Sequence, residues 1–185
     1  MKRTFLAFNI NASDDFTEHL NTIKGAMSSC KIKWTAFEKL HITLKFIGNT
    51  DKETLGKLYE IIDVLSVPHA TFDIKIKGMG YFCRHNKPAV LWAGTEDSEP
   101  LFKLAQHTQS LMEAYRIPVK KAPFKSHITI GRIKHICPQV TVDEVIESYR
   151  GKYFQKQKIN SIILYESILK QSTSVFIPLY TKKLS

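Results

Sequence analysis

Two stretches decide how the chain is read: His41-Ile42-Thr43-Leu44-Lys45 and His127-Ile128-Thr129-Ile130-Gly131. Both run histidine, apolar, threonine, apolar, and they begin nearly half the chain apart. Alternation of apolar and polar residues with β-rich character predicts a strand for each. Successive side chains on a strand point to opposite faces, so His41 shares a face with Thr43 while Ile42 and Leu44 occupy the other. His127 and Thr129 stand in the same relation to Ile128 and Ile130. Imidazole and hydroxyl then lie about 6.5–7 Å apart along one face, a separation that suits a group the size of a phosphate. Each motif is a polar platform with a hydrophobic root.

Working outward, residues 4–10 alternate as a strand through Phe5, Leu6, Phe8 and Ile10, and Asn11-Ala12-Ser13-Asp14-Asp15 opens a helix with a polar cap and acids in its first turn. Phe16, Leu20, Ile23, Ala26 and Met27 follow at helical spacing. Residues 32–35 form a short strand and residues 40–47 a strong one, closed by Gly48-Asn49. Thr50-Asp51-Lys52-Glu53 opens a second helix that carries Leu55, Leu58, Ile61, Ile62 and Leu65 on one face and ends before Pro68. Strands are predicted at residues 71–77 and 89–93, around a loop of Arg84, His85, Asn86 and Lys87. Ser98-Glu99-Pro100 starts a third helix, since proline suits the first helical position. The second motif lies in a strand at residues 126–133, Thr141-Val142-Asp143-Glu144 begins a short helix, and strands at residues 159–168 and 175–180 close the chain. Each motif is followed by a helix and a strand signal, which points to a duplicated lobe. There is no GxGxxG or GxxxxGK[ST] turn, so a doubly wound nucleotide-binding fold is not indicated.

The bulk properties narrow the class. Lysine and arginine number 27 against 17 acids, giving +10 and a pI near 9.5. Such an excess favours polyanionic partners, because neutralising phosphates releases counterions and speeds encounter. The hydrophobic fraction of 43% is enough for a core without staples. Cys30, Cys83 and Cys137 are scattered and odd in number, which reads as reduced, partly buried thiols in a cytoplasmic protein. The apolar run at the start is too short for a signal peptide, and no stretch approaches the roughly 20 apolar residues of a membrane span.

Histidine, with an ordinary pKa near 6.5, serves as acid or base around neutrality. Two imidazoles on opposite sides of one phosphate can divide that labour, while threonine hydroxyls donate to non-bridging oxygens where charge grows. The scheme requires no metal. A zinc site on two histidines is the alternative, but zinc takes three or four ligands and no HExxH or paired cysteine supplies the rest. His19, His69, His85, His107 and His135 fall in helix or loop contexts and read as surface residues, with His107 also able to pack against a helix neighbour.

With both motifs in hand, the chain resembles the 2H phosphoesterase superfamily, and more narrowly the bacterial and archaeal RNA 2′,3′-cyclic phosphodiesterases historically called 2′-5′ RNA ligases. The resemblance runs over almost the whole chain. It takes in Thr4-Phe5-Leu6-Ala7-Phe8, Trp34 through Gly48, Pro88-Ala89-Val90-Leu91-Trp92-Ala93-Gly94, Pro123 through Arg132, and Leu164-Tyr165-Glu166-Ser167. It implies an α+β fold spanning 1–185 as one domain: two similar, intertwined lobes with antiparallel sheets around a pseudo-twofold, basic cleft, helices on the outer faces. It implies hydrolysis of a 2′,3′-cyclic phosphate at an RNA end to a 2′-phosphomonoester, with no cofactor. By analogy His41 is the proton donor to the departing 3′ oxygen, His127 the proton acceptor that activates water, and Thr43 and Thr129 the phosphate binders. The symmetry of the motifs leaves the acid and base unassigned by sequence itself.

Ser126 stands where the family commonly has proline, and Gly131 where it often has alanine or leucine; on regular alternation Gly131 faces the cleft and leaves room for ligand. Arg132, whose guanidinium suits phosphate bidentately or a structural salt bridge equally, falls on the face opposite His127 if the strand stays regular and needs a bulge or a strand end to reach the cleft. Phe46 can stack on a base or belong to the core. Lys45 shares the face of His41 on the same alternation and can steer phosphate, and Lys125 is a substrate contact through the RNA backbone or solvated surface. Lys120, Lys121, Arg84 and Lys87 are RNA-backbone contacts or solvated surface. Two other readings stay open: action on 2′-5′ linked oligonucleotides or small cyclic nucleotides, and an RNA-end-binding module without turnover. A monomer is expected.

Overall fold

The computed structural model describes residues 1–120, 122–134, 138–170 and 174–185, without the side chains of residues 139 and 140. Among them, nine strands form one sheet: β1 (Lys2–Asn9), β2 (Ile32–Trp34), β3 (His41–Thr50), β4 (Phe72–Arg84), β5 (Lys87–Thr95), β6 (His127–Ile133), β7 (Tyr153–Ile159), β8 (Ser161–Leu169) and β9 (Ser174–Lys183). Four helices accompany them: α1 (Asp14–Ala26), α2 (Lys52–Ser66), α3 (Glu99–Ala114) and α4 (Gln139–Ser148). The helix starts follow the sequence signals. Ser13 accepts from the Phe16 N–H and Asp51 from the Thr54 N–H, each satisfying a backbone donor that the helix leaves free.

The strand order is β7-β4-β5-β6-β3-β1-β8-β9, with β2 set on β6 to one side. It divides into two four-stranded halves that meet where β6 abuts β3. Every pairing is antiparallel. The two lobes expected from the resemblance are therefore hydrogen-bonded into one sheet. At the junction a single pair, Ile42 with Ile128, joins the halves. These are the same residue of the two motifs, so a pseudo-twofold axis passes between them.

The sheet curls, and Gln155 of β7 shows how far. Its side chain accepts from the Ser13 N–H and donates to the Asn11 carbonyl, closing on the β1–α1 turn from an edge strand. Leu6, Phe8, Ile42, Leu91 and Ile128 point away from the histidines into one continuous apolar cluster with Phe16 and Leu20 of α1, Leu58, Ile61 and Ile62 of α2, and Leu101 and Leu104 of α3.

Three differences from the sequence reading have physical causes. Residues 84–87 form a tight two-residue turn, with His85 at φ 49° and Asn86 at φ 58°, so β4 and β5 are long hairpin strands rather than short ones around a loop. β7 is an edge strand of mostly polar residues, which hides its periodicity, and Asn160 ends it before β8 begins on the other half. Cys30 is disulfide-bonded and Cys83 is a free, exposed thiol, while Cys137 lies outside the described residues. An odd cysteine count forbids a complete pairing, not a single bridge, so the ground for a reducing compartment is removed. No described helix is long and apolar enough to cross a membrane.

Ile42 and Ile128 are both wholly buried at the axis. Truncating either to alanine is expected to cost about 2–5 kcal/mol, as for other large-to-small core changes. Urea denaturation checks this, and a loss below about 1 kcal/mol would mean that the junction is not a core element.

Candidate active site

Counted outward from the Ile42–Ile128 pair, His41 is set against Thr129 and Thr43 against His127. All four alternate with buried isoleucines and leucine, so they share the face away from the core. Each imidazole is held in the same way. The Nδ1–H of His41 donates to the Lys39 carbonyl at 2.7 Å, and the Nδ1–H of His127 donates to the Lys125 carbonyl at 2.7 Å. A carbonyl can only accept, so the proton of each neutral ring sits on Nδ1 and the lone pair on Nε2. Both rings thus carry one fixed nitrogen and one nitrogen free for chemistry.

The fourth residue of each motif is a β-bulge. Along β3, Ala7 pairs with Thr43 and Leu6 with Lys45, so Leu44 is extra. Along β6, Trp92 pairs with Thr129 and Leu91 with Gly131, so Ile130 is extra. An inserted residue reverses the alternation beyond it. Arg132, opposite Val90, therefore lies on the histidine face, brought there by the bulge rather than by the strand end. Phe46, opposite Phe5, lies on that face too. It is not core: it is 47% exposed, with the Arg3 guanidinium 5.0 Å from its ring centre.

The same reversal corrects two expectations. Lys45 is opposite the buried Leu6, away from the face of His41, and its ammonium donates to Gln109 Oε1 and to the Lys120 carbonyl. Gly131 leaves no room for ligand. It lies beneath Trp34 of β2, where an added Cβ would come within 3.0 Å of the indole and 2.9 Å of Ile32. Lys125 holds its ammonium over Phe82 at 5.1 Å and over Trp92 at 4.8 Å, beside His127.

The rings that wall the site were not singled out from sequence. Phe5 and Phe176 both come within 5.2 Å of the His41 ring, and Phe82 meets His127 edge-on at 4.9 Å. Tyr165 stacks on Phe5. In the register, Phe82 stands to β5 as Tyr165 stands to β1, so this pair is another mark of the pseudo-twofold. Alternation in residues 4–10 could have placed Phe5 on the histidine side; nothing local in the sequence places Phe176 or Phe82.

Burial lowers the pKa of both imidazoles below the ordinary histidine value, since the charged form loses hydration. The carbonyl bonds oppose this. The Arg132 guanidinium adds to the lowering at both rings, His127 adds to it at His41, and Lys125 at His127. Both rings therefore stand neutral at pH 7 in the absence of an anion.

The remaining sequence candidates lie elsewhere. Arg84 and Lys87 flank the β4–β5 turn. His69 and His107 are not simple surface residues, since they share a 3.1 Å hydrogen bond. His19 packs edge-on against Tyr149 and Phe154. Lys121 and His135 lie outside the described residues.

Two His-x-Thr strands facing each other across a pseudo-twofold in one curled sheet define a 2H phosphoesterase. The chain belongs to the LigT-like phosphoesterase family, whose sequence model matches residues 10–92. An Aquifex aeolicus RNA 2′,3′-cyclic phosphodiesterase is 33% identical over 151 residues, covering 80% of this chain and 78% of that protein. An Archaeoglobus fulgidus protein of the same name is 27% identical over 175 residues, covering 94% and 96%. The crystal structure of TT0787 from Thermus thermophilus superposes with a TM-score of 0.80 at 26% identity, over 98% of this chain and 97% of that one.

In NMR titrations of the ligand-free protein, the Cε1 protons of His41 and His127 are expected to report pKa values below about 6.5, and saturating inorganic phosphate is expected to raise both. Values at or above about 6.5 without phosphate would contradict the burial argument.

Proposed function

We propose that the chain hydrolyses the 2′,3′-cyclic phosphodiester at an RNA end to a 2′-phosphomonoester, by two-histidine acid–base chemistry that needs no metal ion. The observation that carries the reading is the matched imidazole pair: both Nδ1 atoms are engaged by a carbonyl two residues back, and both Nε2 atoms are left for proton transfer. The names of the relatives supply the substrate, RNA 2′,3′-cyclic phosphate. The charge of +10 favours such a polyanion.

In the reaction, a water oxygen forms a bond to phosphorus while a proton passes from that water to Nε2 of His127. The bond from phosphorus to the 3′ oxygen breaks, and that oxygen takes a proton from Nε2 of His41. This assignment of donor and acceptor follows the family resemblance. The hydroxyls of Thr43 and Thr129 donate to the non-bridging oxygens, and the Arg132 guanidinium, on the same face, offsets the charge that develops there. Phe46 offers an exposed ring to a base. Both histidines come from one chain, so a monomer suffices.

The productive free enzyme carries one proton shared over two lowered imidazoles. That form is lost as pH rises through the higher of the two values, and again when both rings protonate at lower pH. The expected kcat/KM profile is therefore a bell centred below about pH 6.5. An oligonucleotide ending in a 2′,3′-cyclic phosphate, incubated in excess EDTA, is expected to give a 2′-phosphate end. His41→Ala and His127→Ala should each lower the rate by about 10²–10⁴. Absence of product from the wild-type protein would sink the proposed substrate, and abolition by EDTA would sink the metal-free chemistry.

A further inference from the structure

Beside the histidine pair the pseudo-twofold symmetry fails, and the failure leaves a groove. On one side of the Ile42–Ile128 junction, β2 fills the space between the halves. Trp34 pairs with Gly131, and the Thr35 N–H donates to the Ile130 carbonyl. The offset that carries His41 onto His127 carries Trp34 onto Lys120 and Lys45 onto Gly131. On that second side, no strand forms among the described residues from 117 to 126. There the Lys45 ammonium reaches the Lys120 carbonyl at 2.8 Å in place of a strand pairing. What remains is a groove of about 1440 Å³ that counts Thr43 and His127 among its lining.

We propose that this groove holds the RNA chain on the 5′ side of the terminal cyclic phosphate, as a single-stranded track longer than one nucleotide. The proposal rests on the phosphodiesterase reading above and adds the path of the polymer. Size is the first argument: the groove exceeds the roughly 300–1,000 Å³ that encloses a drug-sized ligand, so a lone nucleotide would leave much of it empty.

Its lining is the second argument. α3 buries Leu101, Leu104, Thr108 and Met112 and turns a second stripe to the groove, including Phe102, Gln106 and Gln109. Phe46 and Phe102 line it while remaining 47% and 39% exposed. Phe124 meets Phe102 edge-on at 5.9 Å. Such faces receive unstacked bases, as single-stranded nucleic acid presents them. Among the described residues that line the groove, Lys45, Lys120 and Lys125 stand against one acid, Glu113, which gives the sign a phosphate backbone requires. Continuity is the third argument, because a chain whose terminal phosphate lies between the histidines meets this opening at His127, whereas β2 closes the opposite side.

The test compares two substrates in the intact protein: adenosine 2′,3′-cyclic phosphate and an RNA decamer ending in the same group. The variants are Phe102→Ala and Gln106→Glu, both at exposed helical positions, with the thermal midpoint measured to confirm folding. Kinetic losses of about fivefold to a hundredfold, carried by KM, are expected for Phe102→Ala on the decamer, from the stacking of one base. A loss of the same sense is expected for Gln106→Glu, largest at low salt. The mononucleotide should change by less than about twofold in both. Equal losses on the two substrates, or none on the decamer, would overturn the groove as an RNA track. If the wild-type protein turned over neither substrate, the phosphodiesterase reading would fail instead. Binding of a 3′-phosphorylated decamer, followed by fluorescence anisotropy, would then decide the groove: weakening by both variants supports it, and unchanged or absent binding overturns it.

Discussion

The backbone pairing of Ile42 with Ile128 is the constraint on which the rest of the site depends. It is the single pairing between β3 and β6, and its two members occupy the same place in the two motifs. An antiparallel pair of like residues creates a local twofold axis, and everything flanking it is placed in duplicate. One residue away on either strand stand a histidine and, facing it, the threonine of the other motif. Because both isoleucines point into the apolar cluster, their neighbours must point out of it. The geometry of the polar groups is thus set by the burial of two aliphatic ones, and a slip of one residue would exchange the two sets.

Much of this is legible in the sequence. Alternation places His41, Thr43, His127 and Thr129 on common faces, and caps at Ser13 and Asp51 mark two helix starts. Alternation fails one residue past each motif, at Leu44 and Ile130, where a bulge reverses the order. A bulge is decided by how two strands twist against their neighbours, not by the residue inserted, and both inserted residues are ordinary buried aliphatics. Regular alternation therefore puts Lys45 and Gly131 on the wrong face, while Phe46 and Arg132 reach the cleft. The aromatic walls escape sequence reading for a related reason. Phe5, Phe82 and Phe176 lie far apart in the chain and converge only because β1, β4 and β9 belong to a single curled sheet.

Symmetry of the motifs does not extend to their surroundings. His41 is enclosed by Phe5 and Phe176, while His127 has one ring edge beside it and the Lys125 ammonium near by. The bulges bring different groups to equivalent positions, an aromatic ring at Phe46 and a guanidinium at Arg132. A twofold scaffold with unlike sixth residues suits the proposed substrate, which is itself asymmetric, with a phosphate at one end and a base beside it. Gly131 belongs to this division, since it admits Trp34 and lets β2 close one flank, while Lys45 at the related position keeps the other flank apart.

Two neutral imidazoles cannot by themselves perform acid–base exchange, because one must already hold a proton. The lowering at both rings has a common origin in burial, joined by the Arg132 charge. A phosphate between them opposes each contribution other than burial: its negative charge screens Arg132 and stabilises a protonated ring directly. In the proposed reaction the bound anion therefore stabilises the singly protonated pair, and the share of that form grows as the site is occupied. Such coupling keeps the free site from repelling itself, since two imidazolium groups and a guanidinium on one face would destabilise the junction that places them. The buried isoleucine pair and the histidine pair are in this sense one design, with the first fixing the positions and the second allowing those positions to be held largely without charge until a bound anion stabilises the protonated ring.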